Sequence, residues 1–204
     1  MDMEKTIERT ELDYGLDDIA ATVRGCRSYR RFDDGDPIPR ELMLALVDLA
    51  RQTASAGNLQ PLRYRLVSDA SVRDGVFKRL GWAGYLATWD GPELAERPTG
   101  YVVVCAADKV TPLTWVDAGI ASQTILLAAT EAGFGGCILR NFKPDLAEFL
   151  SLEGVEPLLV IALGTPVEKC VLEPLDSSPD GIKYWRDDQG VHHVPKRSLE
   201  EVLV

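Results

Sequence analysis

Apolar residues recur at helical spacing near the start of the chain. Leu16, Ile19, Ala20 and Val23 predict a short helix over 16–26, and Asp17 and Asp18 suit the positive end of its dipole. A second amphipathic run, Leu42, Ala45, Leu46, Leu49 and Ala50, predicts a helix over 40–53, with Pro39 placed to open it. The small, turn-rich segment Ser55-Ala56-Gly57-Asn58-Leu59-Gln60-Pro61 stops it. Residues 63–68 alternate as a strand, and Asp69 is a side-chain cap for a helix over 70–80. The runs 101–107 and 157–164 are continuously apolar, the pattern of strands covered on both faces. Between them, 114–132 is apolar nearly all round and ends at Gly133; such a helix is buried in a core or in an interface. A short strand over 135–141, a helix over 143–152, a hairpin pairing 182–186 with 191–194, and a last short helix opened by Lys196-Arg197-Ser198 complete the pattern. Only 81–98 resists regular assignment. It carries Trp82, Tyr85 and Trp89, and a loop of that length is a lid, a binding loop, or an excursion whose aromatics pack on a neighbour.

This pattern predicts one α+β domain over 16–204, with four or five strands in one sheet, behind a flexible polar arm over 1–15. Length and composition agree, since 204 residues with 46% hydrophobic and 26% charged suit a single soluble domain or one subunit of a dimer. The net charge of −10 opposes a general nucleic-acid binder, which needs a broad basic face. No run is long and apolar enough for a membrane span, and the acidic N-terminus lacks signal-peptide order, so a cytoplasmic protein is expected. Cys26, Cys105, Cys137 and Cys170 are scattered, with no CxxC pair. His192 and His193, the only histidines, point to opposite faces if they lie on a strand, so no metal site is expected.

Against the acidic background one stretch stands out: Arg24-Gly25-Cys26-Arg27-Ser28-Tyr29-Arg30-Arg31-Phe32. Arg24, Arg27 and Arg31 have the spacing of one helix face, where like charges repel by a few tenths of a kcal/mol per pair. An anion between them removes that cost, because guanidinium groups make charge-assisted, often bidentate, bonds to phosphate or carboxylate. The competing reading pairs these arginines with Asp33, Asp34 and Asp36, which follow at once.

Familiar catalytic signatures are missing. There is no GxSxG elbow and no P-loop, and Gly133-Phe134-Gly135-Gly136 follows a helix and precedes a strand, the wrong order for a dinucleotide fingerprint. What remains are anchors: the arginine cluster, the amide-rich loop 55–61, a glycine-bounded strand ending in Arg140-Asn141, and the basic pair Lys196-Arg197. Donors without an acid–base centre suggest that a cofactor brings the reactivity.

In order along the chain these segments resemble the FMN-dependent nitroreductase family. Cys26-Arg27-Ser28-Tyr29-Arg30-Arg31-Phe32 is similar to its N-terminal Arg-Arg-Ser-x-Arg-(Arg/Lys)-Phe motif, and Ser55 to Pro61 to its Ser-x-x-Asn-x-Gln-Pro-Trp motif. Asp117 to Ala129, continuing through Gly133-Phe134-Gly135, resembles its interface helix, and Leu159 to Pro166 its last core strand. The resemblance implies a nitroreductase-like α+β fold, with a central, mostly antiparallel sheet flanked by helices, in a homodimer holding FMN at the subunit interface. It implies that Arg27 and Ser28 hold the phosphate and ribityl chain, and that Arg30 reaches the ribityl or pyrimidine edge. Ser55, Ala56, Asn58 and Gln60 approach the flavin, some from the partner subunit. Ile138, Leu139, Arg140 and Asn141 run along it, and Lys196 and Arg197 complete the phosphate site. The activity implied is ping-pong hydride transfer from NADH or NADPH through flavin N5 to a nitroaromatic, quinone or similar planar acceptor, with Trp82, Tyr85 and Trp89 as candidates to line the open face. No side chain need act as a nucleophile. Cys26 stands where many members carry a basic residue, and Leu62 where many carry tryptophan. Oxygen-dependent flavin chemistry, reductive dehalogenation and a non-catalytic flavin-binding protein are the alternatives on the same fold.

Overall fold

The structure, a computed structural model, describes residues 15–204; the expected arm over 1–15 lies almost wholly outside them. A four-stranded antiparallel sheet forms the centre, in the order β1 (Leu62–Val67), β2 (Gly100–Ala106), β4 (Glu156–Gly164), β3 (Gly135–Leu139). The two apolar runs take the middle positions, as their unbroken hydrophobicity requires. Along β2, Val102, Val104 and Ala106 face one layer while Tyr101, Val103 and Cys105 face the other.

The first layer contains α2 (Arg40–Ala50) and α4 (Pro112–Glu131), which bring Met43, Leu46, Ala118, Ala121 and Ile125 onto Val102, Val104, Ile161 and Leu163. Burying each of the Met, Leu, Ile and Val side chains contributes about 1.5–3 kcal/mol. Helix α4 starts at a reciprocal cap between Thr111 and Thr114 with Pro112 at its first position, and it stops where Gly133 takes φ +84. Helix α1 (Asp17–Gly25) lies against α4. The second layer holds α3 (Ala70–Phe77), capped by the Asp69 carboxylate, the single-turn α5 (Leu146–Phe149), and Trp82.

The rest of the chain departs from the expected single sheet. Strands β5 (Cys170–Pro174), β6 (Trp185–Arg186) and β7 (His192–Lys196) form a second sheet in the order β5-β7-β6. The hairpin of β6 and β7 is as expected. Strand β5 was hidden because it is short and pairs in parallel with β7 across the intervening segment. The helix expected over 143–152 shrinks to four residues, ended by Ser151 at φ +52. The last helix is reduced to turns. Ser198 and Glu201 cap each other, but Leu199, Val202 and Leu203 stay exposed, so no burial extends the turn.

Candidate functional site

The arginine stretch does not lie on one helix face. Helix α1 ends at Gly25, Cys26 turns to an extended conformation, and residues 27–31 run as a strand-like segment beside β3. Tyr29 N–H donates to Gly136 O at 3.0 Å, and Ser28 forms a parallel bridge with Gly136. Gly135 permits this approach, since a Cβ there would stand 2.5 Å from the Tyr29 ring, while Gly136 serves the pairing of β3 with β4, where a Cβ would stand 2.4 Å from Ala162 O.

The individual arginines then separate. Arg27 is half-buried. It donates through Nη2 to Val23 O at 2.6 Å, and its Nε has no partner. Arg31 forks onto Glu96, with Nε donating at 2.6 Å. It does not turn to Asp33, Asp34 or Asp36, which bond to Gly35 N–H, Arg73 and Thr165. Arg30 turns inward and is 8% exposed. Its Nη1 donates to Ser28 O at 3.1 Å and lies 3.2 Å from His192 Nε2, and its guanidinium stacks over the Tyr184 ring at 4.9 Å. A guanidinium can only donate, so His192 Nε2 accepts and the imidazole is neutral, with its proton on Nδ1. Burial first, then the Arg30 and Arg186 charges, push the His192 pKa down to about 4, in agreement. Below this lies the Glu168 carboxylate, whose side chain is fully buried. It accepts from the backbone N–H groups of Arg30 and Arg31 and from Arg186 Nη2 at 2.8 Å.

The loop 55–60 is held by one residue that the sequence pattern left among apolar neighbours. Asp117, on α4 and 4% exposed, accepts from Ser55 Oγ at 2.7 Å and from Ala56 N–H at 3.0 Å. Ser55 Oγ in turn accepts from Gln60 N–H at 3.0 Å. Three residues take left-handed conformations, with φ of +56 at Gly57, +54 at Asn58 and +50 at Gln60. The Gln60 amide donates to the Asn58 side chain at 3.2 Å. Leu59 stands exposed at the loop tip, and a cleft of ≈ 480 Å³ separates the loop from the start of α4.

Ile138 is partly exposed, Leu139 faces the core, and Arg140 stacks over Trp115 of α4 at 4.7 Å. Asn141 accepts through its backbone carbonyl from Gly81 N–H at 2.8 Å. Lys196 and Arg197 sit at the far end of β7, four residues beyond His192, roughly 13 Å along the strand. There they line a groove with Glu173, Asp176 and Glu201, and Arg197 donates to Glu201 at 3.4 Å. Within this chain they make no contact with Arg27 or Ser28. Trp82 is buried 5.6 Å from the Phe77 ring, and Trp89 lies under the Arg186 guanidinium at 4.7 Å. Of the three loop aromatics only Tyr85 presents half its surface, 5.0 Å from Tyr184.

One protomer therefore has two polar patches, both held against α4. Residues 27–28 lie beside its C-terminal half, where Gln123 Nε2 reaches Cys26 Sγ at 3.7 Å. The loop 55–60 lies beside its N-terminal half, at Asp117. Sequence reasoning missed Asp117, Glu168, Tyr184 and His192 as organisers. A carboxylate flanked by Trp115, Val116 and Ala118 inside a largely apolar helix was a usable signal for Asp117; Glu168 offered none.

Comparison with known proteins identifies the family. The family model described as "Nitroreductase family" matches residues 23–165. A protein of Methanothermobacter thermautotrophicus named as an NADH dehydrogenase/NAD(P)H nitroreductase is 28% identical over 160 residues, 74% of this chain and 78% of its own length. The NADPH:FMN oxidoreductase of Vibrio harveyi, solved with NAD+, is 26% identical with a TM-score of 0.57, covering 72% of this chain and 68% of that one. A structure from Clostridium novyi, 20% identical with a TM-score of 0.60, covers 91% of this chain and 98% of its own, a share too large to stop at residue 165.

Proposed function

The chain belongs to the nitroreductase family and is an oxidoreductase; from that premise we propose that it is an FMN-dependent NAD(P)H oxidoreductase working as a homodimer. The observation that carries this reading is the division of the site along α4. Asp117 and Gln123 are six residues, about 9 Å, apart, and Gly25 packs on Thr130, a further seven residues on. Along its N-terminal half α4 shows Leu113, Val116 and Ile120 to solvent, an apolar stripe at helical spacing, and Leu16, just before α1, and Ile19 and Val23 within it are exposed as well. A two-fold axis pairing α4 with an antiparallel copy covers that stripe. It also sets the 55–60 loop of one protomer against residues 27–28 of the other.

The residues present fit a phosphate-bearing flavin at that junction. Arg27 has an unpartnered Nε–H and Ser28 is an exposed residue with a hydroxyl, and both would donate to phosphate oxygens. The partner's Ser55, Ala56, Asn58 and Gln60 supply the amide-rich edge. Ile138 offers an apolar surface, and the backbone of Arg140 and Asn141 runs beside the ring. Arg30 takes a different role from the one expected. Engaged by Ser28 O, His192 and Tyr184, it fixes the segment from behind and does not reach the ligand. Lys196 and Arg197 join the phosphate site only through the second protomer. FMN, when bound, supplies the two-electron chemistry, taking hydride from NADH or NADPH and passing electrons to a nitroaromatic or quinone in a second half-reaction. The chain's part is to bind and orient the cofactor and to leave one face open to planar substrates in turn. Tyr85 borders that face.

The test is a visible spectrum of the purified protein, followed by anaerobic addition of NADH or NADPH. Yellow protein that bleaches with a nicotinamide and recovers with a quinone is expected. Colourless protein that takes up no added FMN refutes the proposal.

A further inference from the structure

We propose that the cleft between α3 and the 94–98 turn, on the sheet face opposite α4, binds a small monocarboxylate. Tyr101, in the middle of the domain on β2, is 0% exposed, and its hydroxyl makes no hydrogen bond. It lines a cleft of ≈ 140 Å³ together with Arg73, Arg97, Phe77, Leu94 and Pro98. Both arginines also carry a buried Nε–H without a partner. Three residues at one cleft each carrying a buried donor without a partner is unusual, since buried polar groups are nearly always paired. The rest of each guanidinium is engaged and so held in place. Arg73 Nη1 donates to Pro98 O at 3.3 Å, and Arg97 Nη1 donates to Asp74 at 2.7 Å while its plane lies 3.9 Å over the Phe77 ring. Burial raises the Tyr101 phenol above its ordinary pKa, so it remains a donor.

These features define the ligand. The free groups are donors, so the ligand offers acceptors. Arg73 and Arg97 are balanced by Asp34 and Asp74, both of which also stand at this cleft. A single negative charge is therefore tolerated better than the two of a phosphate. Asp34 is 3.6 Å from Arg73 and half-exposed, a loose pair that an incoming carboxylate displaces at little cost. Phe77, Leu94 and Pro98 form an apolar wall, and a cavity of about 150 Å³ is known to accept a benzene ring. Benzoate is near the upper size limit. No residue of the proposed flavin site lines this cleft, so the inference does not depend on that reading.

The experiment is calorimetric titration of the full chain, as purified, with benzoate, acetate and phosphate. It is repeated on Tyr101→Phe and Arg97→Lys, with the visible spectrum followed in parallel. Saturable benzoate binding in the millimolar range is expected, with phosphate weaker. Tyr101→Phe, which removes a hydroxyl that has no partner and so keeps the fold, should weaken benzoate by about tenfold or more. Arg97→Lys, which keeps the charge but loses the Nε–H, should do the same. No saturable binding, or equal affinity in wild type and Tyr101→Phe, overturns the proposal. A shift of flavin absorbance with the same midpoint as the heat also overturns it, because it places benzoate at the cofactor.

Discussion

Replacing Asp117 tests whether one buried carboxylate sets the conformation of the 55–60 loop. In Asp117→Ala, Ser55 Oγ and Ala56 N–H lose their acceptor. Each hydrogen bond to a charged group is worth about 1.5–3 kcal/mol, and the lower figure applies because the loop's outer side is wet, so the pair amounts to about 3 kcal/mol. That anchoring offsets the left-handed conformations of Asn58 and Gln60, which cost of order 1 kcal/mol each. The loop should therefore open locally while the sheet stays intact. Asp117→Asn is the control. Its Oδ1 still accepts from Ala56, and its amide donates to Ser55 Oγ, so both contacts survive without charge at a loss of about 1 kcal/mol. Hydrogen exchange at the Ala56, Asn58 and Gln60 amides reads the effect directly. FMN affinity should fall by up to about 100-fold in the alanine variant and about fivefold in the asparagine variant. Unchanged exchange at Ala56 and Gln60 in Asp117→Ala, or equal behaviour of the two variants, would refute the reasoning.

Val116→Asp and Ile120→Asp should each give monomers by sedimentation velocity and lose flavin together with dimerisation, because a charge on the exposed stripe of α4 opposes its burial. Arg31→Ala should lower stability by about 1 kcal/mol through the Glu96 pair and leave FMN affinity unchanged. Arg27→Ala should do the reverse, weakening FMN tenfold or more while the cofactor-free melting temperature holds. The two histidines set opposite pH limits. His192 is neutral when folded, with its pKa near 4 against 6.5 unfolded, so the unfolded chain binds more protons between those values. Unfolding free energy should fall by on the order of 2–3 kcal/mol as pH drops from 6.5 to 4, a slope that His192→Gln removes. His193 is raised by its bonds to Glu173 and Asp187, so its contribution is present below 6.5 and is lost as pH rises through the raised value. His193→Gln should flatten that neutral-side loss in urea titrations.

The elements most readable from the sequence were those governed by a single strong local effect. The runs 101–107 and 157–164 became β2 and β4 because continuous apolarity has only the sheet centre to occupy. Asp69 and Gly133 marked helix ends because capping is local. The second sheet was obscured because β5 and β7 pair in parallel across the segment between them, a contact that short-range patterns do not encode. In the candidate site, residue identity grouped Arg27, Ser28 and Arg30 and did not show that Arg30 turns inward. That depends on Tyr184 and His192, more than 150 positions later. Trp82 and Trp89 show the same limit: an aromatic in a loop can be wall or core, and α3 and Arg186 decide.

Glu168 has a consequence for how the molecule is made. Its carboxylate collects the N–H groups of Arg30 and Arg31, 138 and 137 positions earlier in the chain. On a ribosome adding about 5–20 residues per second, the segment that carries Arg27 and Ser28 waits roughly ten seconds or more before that acceptor is synthesised. It waits longer still for Arg186 and His192. The helices and central strands can assemble in the meantime, so the segment 27–31 is among the last parts to acquire its final shape. A nascent chain halted before residue 168 should carry much of its sheet but leave residues 27–31 open to proteases.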